Sequence, residues 1–179
     1  MIINKFRKLS RSILFVGMFF FFFSCEEDEV IEGCTDQAAC NYNPEATETL
    51  TGSCNYPLES ILEITYSEDY VTGLVGEEVI AHVYIRNSSC ESVSIKARKM
   101  FSVSEESSAY FCFAGKCFGP SELTSPTTLF LDSYEEDDYF KSYFNSSEEG
   151  LFELKYRFYL ENDLSTYIEK TITYEITSP

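Results

Sequence analysis

Seven cysteines, a single histidine and two runs of four adjacent acids are the residues of this chain with chemistry beyond packing. Cys25 stands between an uncharged stretch, Ile13 to Phe23, and the acids Glu26, Glu27, Asp28 and Glu29. Before that stretch come Lys5, Arg7, Lys8 and Arg11, with no acid among them. A basic start, an apolar core and a small residue at its end, Ser24, describe an export signal. Residues 13–23 make up about half of the roughly twenty that a spanning helix needs. The other six cysteines, Cys34, Cys40, Cys54, Cys90, Cys112 and Cys117, are an even set, and an exported chain uses such sets for disulfides. Many pairings are open on number alone. Cys112 and Cys117 flank Ala114-Gly115-Lys116 and can close a tight loop. Dithiol redox chemistry uses Cys-x-x-Cys at a helix start; the wider spacing here, with no helical pattern after it, points to a structural bridge.

Catalytic parts are missing. His82 lies on the polar side of an alternating segment with no nucleophile motif nearby, so it reads as a surface residue. Glu135, Glu136, Asp137 and Asp138 could imitate the carboxylate pair of a glycoside hydrolase, but adjacent acids in a loop are ordinarily solvated charge. A phosphate-binding glycine loop and His/Cys metal spacing are both absent. The expectation is a protein that is not an enzyme, has no catalytic residue and uses no cofactor or metal.

The elements that must position these residues read as strands. Val79, Ala81, Val83 and Ile85 alternate with Ile80, His82, Tyr84 and Arg86. Val93, Ile95 and Ala97 oppose Ser94, Lys96 and Arg98 in a segment drawn to Val103. Phe152, Leu154, Tyr156, Phe158 and Leu160 alternate with Glu153, Lys155, Arg157 and Tyr159. Ile168, Ile172, Tyr174 and Ile176 share a face opposite Thr171, Thr173 and Glu175. Weaker candidates cover 60–66, 109–113, 127–131 and 138–144. Turn signals fall at Gly73–Gly76, Asn87–Ser89, Gly119-Pro120, Ser147–Gly150 and Glu161–Asp163. One polar face per strand predicts two antiparallel sheets face to face, and argues against a parallel sheet. The fold class is therefore all-β: an immunoglobulin-like sandwich of seven or eight strands, preceded by a small disulfide-stapled segment. The segments 150–160 and 165–176 should form a hairpin across Glu161–Leu164.

The chain has 179 residues and a net charge of −17, and loses four more positive charges if 1–24 are removed. Such acidity repels phosphate, so nucleic acid is excluded as a partner. It also repels anionic lipid, so membrane contact has to come through acyl chains. Trp is absent, whereas 16 Phe and 13 Tyr make an aromatic core the expectation.

Three resemblances add to this reading. Phe22-Phe23-Ser24-Cys25 resembles the lipobox of bacterial lipoproteins, with Phe22 where Leu is usual. The acidic run after it is similar to the surface-export signal of Bacteroidota lipoproteins. This implies cleavage before Cys25, acylation of Cys25 by fatty acids such as palmitate, and an outer-membrane, surface-exposed location. Next, Gly33-Cys34-Thr35-Asp36, Ala39, Asn41-Tyr42-Asn43-Pro44, Ala46 and Gly52-Ser53-Cys54 resemble a cysteine motif of secreted and surface Bacteroidota proteins. That resemblance implies a Cys34–Cys54 disulfide. The motif usually carries two acids before Gly-Ser-Cys, which invites a calcium reading; here Leu50 and Thr51 stand there, leaving Asp36, Asn41, Asn43, Glu45 and Glu48 as oxygen donors. Cys40 could pair with Cys90 and pin the motif to the sandwich. Finally, Tyr110 to Pro120, with the strands around it, resembles an Ig-like accessory domain of Bacteroidota surface and type IX-secreted proteins. Phe111, Phe113 and Phe118 could make an exposed aromatic patch for a partner, the alternative being that they simply pack.

The resulting plan is a signal peptide over 1–24, an acidic tether over 25–33, the cysteine motif over 34–57 and the sandwich over 58–179. The expected role is a lipid-anchored binding or assembly module with a protein partner, such as an accessory subunit of an outer-membrane transport or secretion complex. The alternative is a carbohydrate- or calcium-dependent adhesion module.

Overall fold

The computed structural model describes residues 29–179. The expected signal peptide, Cys25 and the first acids of the tether lie outside the described residues. In chain order the strands are β1 (Leu62–Ser67), β2 (Tyr70–Leu74), β3 (Val79–Asn87), β4 (Val93–Lys99), β5 (Ser107–Phe113), β6 (Lys116–Phe118), β7 (Leu129–Leu131), β8 (Glu136–Asp137), β9 (Lys141–Ser146), β10 (Gly150–Leu160) and β11 (Asp163–Thr177). One sheet runs β1-β3-β9-β5-β6, with β8 beside the end of β3. The other runs β2-β11-β10-β4-β7. The two sheets make the all-β, Ig-like sandwich that alternation predicts, with three more short strands than expected.

The added strands are β2, β6 and β8. β2 pairs with β11 in parallel, while the remaining pairs are antiparallel. Gly73 lies inside β2 rather than in a turn. A Cβ there would stand 2.2 Å from Val79 Cγ2, so this close approach to β3 admits only glycine. β5 and β6 join through Ala114 and Gly115, both at positive φ (50° and 75°), the geometry of the tight hairpin turn that fits strand twist. The β10–β11 hairpin pairs from Gly150↔Ile176 to Leu160↔Asp163, so Leu164 already belongs to β11 and the turn is tighter than expected.

The faces assigned by alternation are the faces that meet. Ala81, Val83, Ile85, Ile95, Ala97, Leu154, Tyr156, Phe158, Ile172, Tyr174 and Ile176 are buried in one core. Aromatic rings fill its centre: Phe140 packs edge-on against Tyr156 and Phe158, with centroids 5.1 and 4.8 Å away. The tyrosine hydroxyls are satisfied internally. Ser142 Oγ lies 2.8 Å from the Tyr156 hydroxyl, and the Tyr174 hydroxyl donates 2.7 Å to Ser142 Oγ. Lys99, at the end of β4, also turns inward, and its Nζ donates to the carbonyls of Ala109 (3.2 Å) and Pro120 (2.6 Å). Burial holds its ammonium below the usual lysine range. That inward turn ends β4 at Lys99, short of the expected Val103.

Residues 29–57 form a compact appendage without a core of their own. Gly33 N donates to Glu48 O, Asn43 N to Cys34 O, and Cys40 N to Asn55 O. The disulfides Cys34–Cys54 and Cys40–Cys90 close it, the first within the segment and the second onto the β3–β4 turn. Around that contact the Tyr134 hydroxyl donates to Tyr56 O, and Leu58 N donates to Ser88 O.

Candidate binding surface

Several residues singled out from the sequence have structural work here. Cys112 and Cys117 face each other across β5–β6 and are joined. Phe111, Phe113 and Phe118 do not form an exposed patch: Phe111 and Phe113 are fully buried and Phe118 nearly so. The physical reason is register. Phe111 and Phe113 share the inward face of β5 with Ala109, and Phe118 pairs with Phe111, which puts its ring on that face too. Burying each contributes about 1.5–3 kcal/mol, so the rings belong to the core and the patch reading is withdrawn.

In the stapled segment the side-chain oxygens of Asp36, Asn41 and Asn43 accept hydrogen bonds within the segment. Asp36 accepts from Ala38 N and the Tyr56 hydroxyl, Asn41 Oδ1 accepts from Asn55 N, and Asn43 Oδ1 accepts from Glu45 N. Among the described residues no group of three or more His, Cys, Asp or Glu side chains is placed to hold a metal ion. His82 Nδ1 meets Glu68 Oε2 at 2.8 Å, and this contact holds the Glu68 carboxyl below its usual range.

The acids 135–138 point to separate tasks. Glu135 accepts from Asp132 N at 2.7 Å, and Glu136 pairs with Arg86 at 2.8 Å. Asp137 is partly buried beside Ile85, and that burial, with repulsion from Asp138 and Glu135, raises its carboxyl above the ordinary Asp value. A raised folded-state pKa means the folded state holds a proton longer than the unfolded chain. Stability contributed by Asp137 is thus greatest below its unfolded value and falls as pH rises through the folded one. Asp137→Asn is expected to raise the melting temperature at pH 7, with the gain vanishing near pH 3. Asn keeps an oxygen for Tyr139 N. Paired thermal melts at the two pH values check it.

The open cleft between the β3–β4 and β10–β11 turns, about 410 Å³, is lined by Ile61, Val93 and Leu160 with serine hydroxyls, Asn162 and the carboxylate of Glu91. It brings together one acid and no base.

A different concentration of chemistry lies on the outer face of the five-stranded sheet. Lys96-Ala97-Arg98 in β4 and Lys155-Tyr156-Arg157 in β10 each turn the middle residue into the core and both cations outward. β4 and β10 are neighbours, and their register sets Arg98 opposite Arg157 and Lys96 opposite Tyr159. Arg157 donates twice to Glu169 Oε1, at 2.9 and 2.6 Å, and its guanidinium lies 4.1 Å from the Tyr167 ring centroid. Lys155 pairs with the other oxygen of Glu169, and these two cations hold the Glu169 carboxyl below its usual range. Lys96 lies 3.5 Å from Glu161 and donates to Pro126 O. Arg98 has no carboxylate partner among the described residues. Arg98, Arg157, Tyr159 and Leu164 enclose a shallow notch of about 140 Å³. The sequence reading placed these residues on polar faces and stopped there. The usable signal was the doubled Lys-x-Arg in a chain with only 13 basic residues.

No family model matches the chain, and no curated protein matches it. Among solved structures it is similar to the N-terminal domain of PorA (13% identity, TM-score 0.45, covering 65% of this chain and 96% of that one). It is also similar to the CARDB domain of a Pyrococcus furiosus protein in complex with di-metal ions (18% identity, TM-score 0.40, 69% and 94%). A third is a conjugative transposon lipoprotein from Bacteroides eggerthii (14% identity, TM-score 0.40, 63% and 93%).

Proposed function

We propose that this protein is a non-catalytic binding or assembly module, anchored by lipid on Cys25 to the outer membrane and facing the cell surface. It would serve there as an accessory subunit of an outer-membrane transport or secretion complex. The observation that carries the reading is the pair of bridges Cys34–Cys54 and Cys40–Cys90. They make the segment that follows the tether a rigid collar on one end of the sandwich. A flexible spacer needs no such bracing, whereas a module that must present one face at a set angle to its anchor does. Three disulfides also suit an oxidising compartment outside the cytoplasm. The collar sits at the β3–β4 turn, so the β9–β10 turn and the C-terminus of β11 lie at the end of the sandwich away from the collar.

The test is mass spectrometry of the native protein, followed by affinity purification of a tagged full chain from membranes. The expected results are an acylated N-terminus at Cys25 and co-purification of an outer-membrane transporter or secretion channel. An unmodified N-terminus elsewhere, or recovery of the protein from the cytosol, would overturn the reading.

A further inference from the structure

Like charges set directly opposite each other on a sheet face are destabilising, yet Arg98 faces Arg157 in a chain with few cations to place. Glu169 compensates Arg157 and leaves Arg98 open. An arrangement unfavourable to the isolated fold becomes favourable when an anion enters between the guanidiniums. Arginine's planar fork is suited to a carboxylate held through two hydrogen bonds. Beside the charges the notch supplies an apolar wall, from Tyr159 and from Leu164, which is 68% exposed. Along β4, Ser94 stands four residues, about 13 Å at the usual strand rise, from Arg98, and it pairs with Phe130, a residue 71% exposed. A small anion reaches one of these features and an extended ligand reaches both.

The backbone narrows the class further. Where Arg98 and Arg157 stand, β4 is held on one side by β10 and on the other by the Leu123–Ser125 segment, and β10 lies between β4 and β11. A peptide adding as an extra strand finds no free edge in the middle of this face. Recognition there has to run through side chains alone. A polymer whose units carry a carboxylate and a flat apolar ring face matches both halves of the site. The face also carries Glu153, Glu169 and Glu175, so among the described residues of this face it is the strip around Arg98 that offers a polyanion an unmatched positive charge.

We propose that the outer face of the five-stranded sheet binds an acidic polysaccharide, with Arg98 and Arg157 clamping a uronate carboxylate and Tyr159 and Leu164 receiving the sugar ring. This rests on the binding-module reading and names the ligand class and the face. The experiment uses the full chain purified from membranes in detergent, run on native gels containing polygalacturonate or neutral dextran. Polygalacturonate is expected to retard it and dextran not, with retardation weakening as salt rises from about 50 to about 200 mM. Arg98→Glu is expected to weaken binding at least about tenfold, in line with loss of a charged hydrogen bond. Lys116→Glu, an equal change of charge at the tip of the β5–β6 hairpin, is expected to leave binding unchanged.

No retardation of the unaltered protein overturns the proposal. So do equal losses in the two variants, equal retention by single-stranded DNA, or self-association in the ultracentrifuge that Arg98→Glu abolishes in place of polysaccharide binding. If polygalacturonate fails while a membrane complex still co-purifies, this inference falls and the anchored-module reading stands. If polygalacturonate binds but Cys25 carries no lipid, the converse holds.

Discussion

Phe140→Ala is expected to destabilise the folded chain by about 3–5 kcal/mol, read as a lowered denaturation midpoint with the disulfides intact. Phe140 is fully buried in the segment leading into β9. Its ring is edge-on to Tyr156 and Phe158 and stands 6.1 Å from Phe111, so it touches aromatic groups contributed by both sheets. Truncation removes apolar burial and leaves a cavity whose walls are rigid rings. Its neighbour Tyr156 is fixed further by Ser142, and the backbone of Phe140 itself is held where its carbonyl accepts from Val83 N at 3.2 Å. Such walls cannot relax inward, so the loss should lie toward the upper part of the range. Tyr139, the preceding residue, is 36% exposed and 5.9 Å from Lys141 in a cation–π contact. Tyr139→Ala is the control, expected to change stability by about 1 kcal/mol or less. Equal midpoints for the two variants would show that the aromatic centre is not where the stability resides.

The alternation that made Phe140's neighbours readable was local, and what local pattern encodes came through. β3, β4, β10 and β11 carry apolar residues at alternate places, interrupted by Asn87 and Lys99 at the ends of β3 and β4 and by Lys170 in β11, so most of their buried faces follow from the pleat. β2 escaped notice because Gly73 looks like a turn residue, whereas its lack of a side chain serves contact with Val79 on another strand. β6 and β8 are too short to carry any period. Phe111 and Phe113 were misjudged for a related reason: aromatic density in a cysteine loop looks like display until the second sheet that covers them is known. The same limit hid the paired cations on the outer sheet face. Each Lys-x-Arg is visible alone, but their apposition depends on β4 lying next to β10, a pairing between residues about sixty positions apart along the chain. The cysteines fell between these cases. Their number implied bridges, while the partner of Cys40 depended on how the appendage sits against the sandwich.

Replacing Cys40 and Cys90 together by Ser should have the largest effect of any disulfide removal here. In the chain-entropy account the loss grows with the loop closed. For a sequence separation of 50 it is about 4 kcal/mol, against about 3 for the 20 of Cys34–Cys54 and about 2 for the 5 of Cys112–Cys117. The bridge also does something the other two do not, since it alone joins the appendage covalently to the sandwich through a side chain. Its anchor point is prepared. Asn87 is fully buried at the end of β3, donates from Nδ2 to the carbonyls of Glu91 (2.7 Å) and Asp132 (2.9 Å), and accepts from Ser89 N at 3.0 Å. Those bonds fix the turn that carries Cys90 whether or not the sulfur is bonded. The double variant should therefore keep a folded sandwich at a lower midpoint, while the appendage, left with the hydrogen bonds at Tyr134 and Leu58, swings free. Limited proteolysis between residues 55 and 61 is then expected to be faster in the double variant than in the unaltered protein. An unchanged midpoint and an unchanged cleavage rate would mean that the non-covalent seam suffices, and that the seating of the appendage on the sandwich does not depend on this bridge.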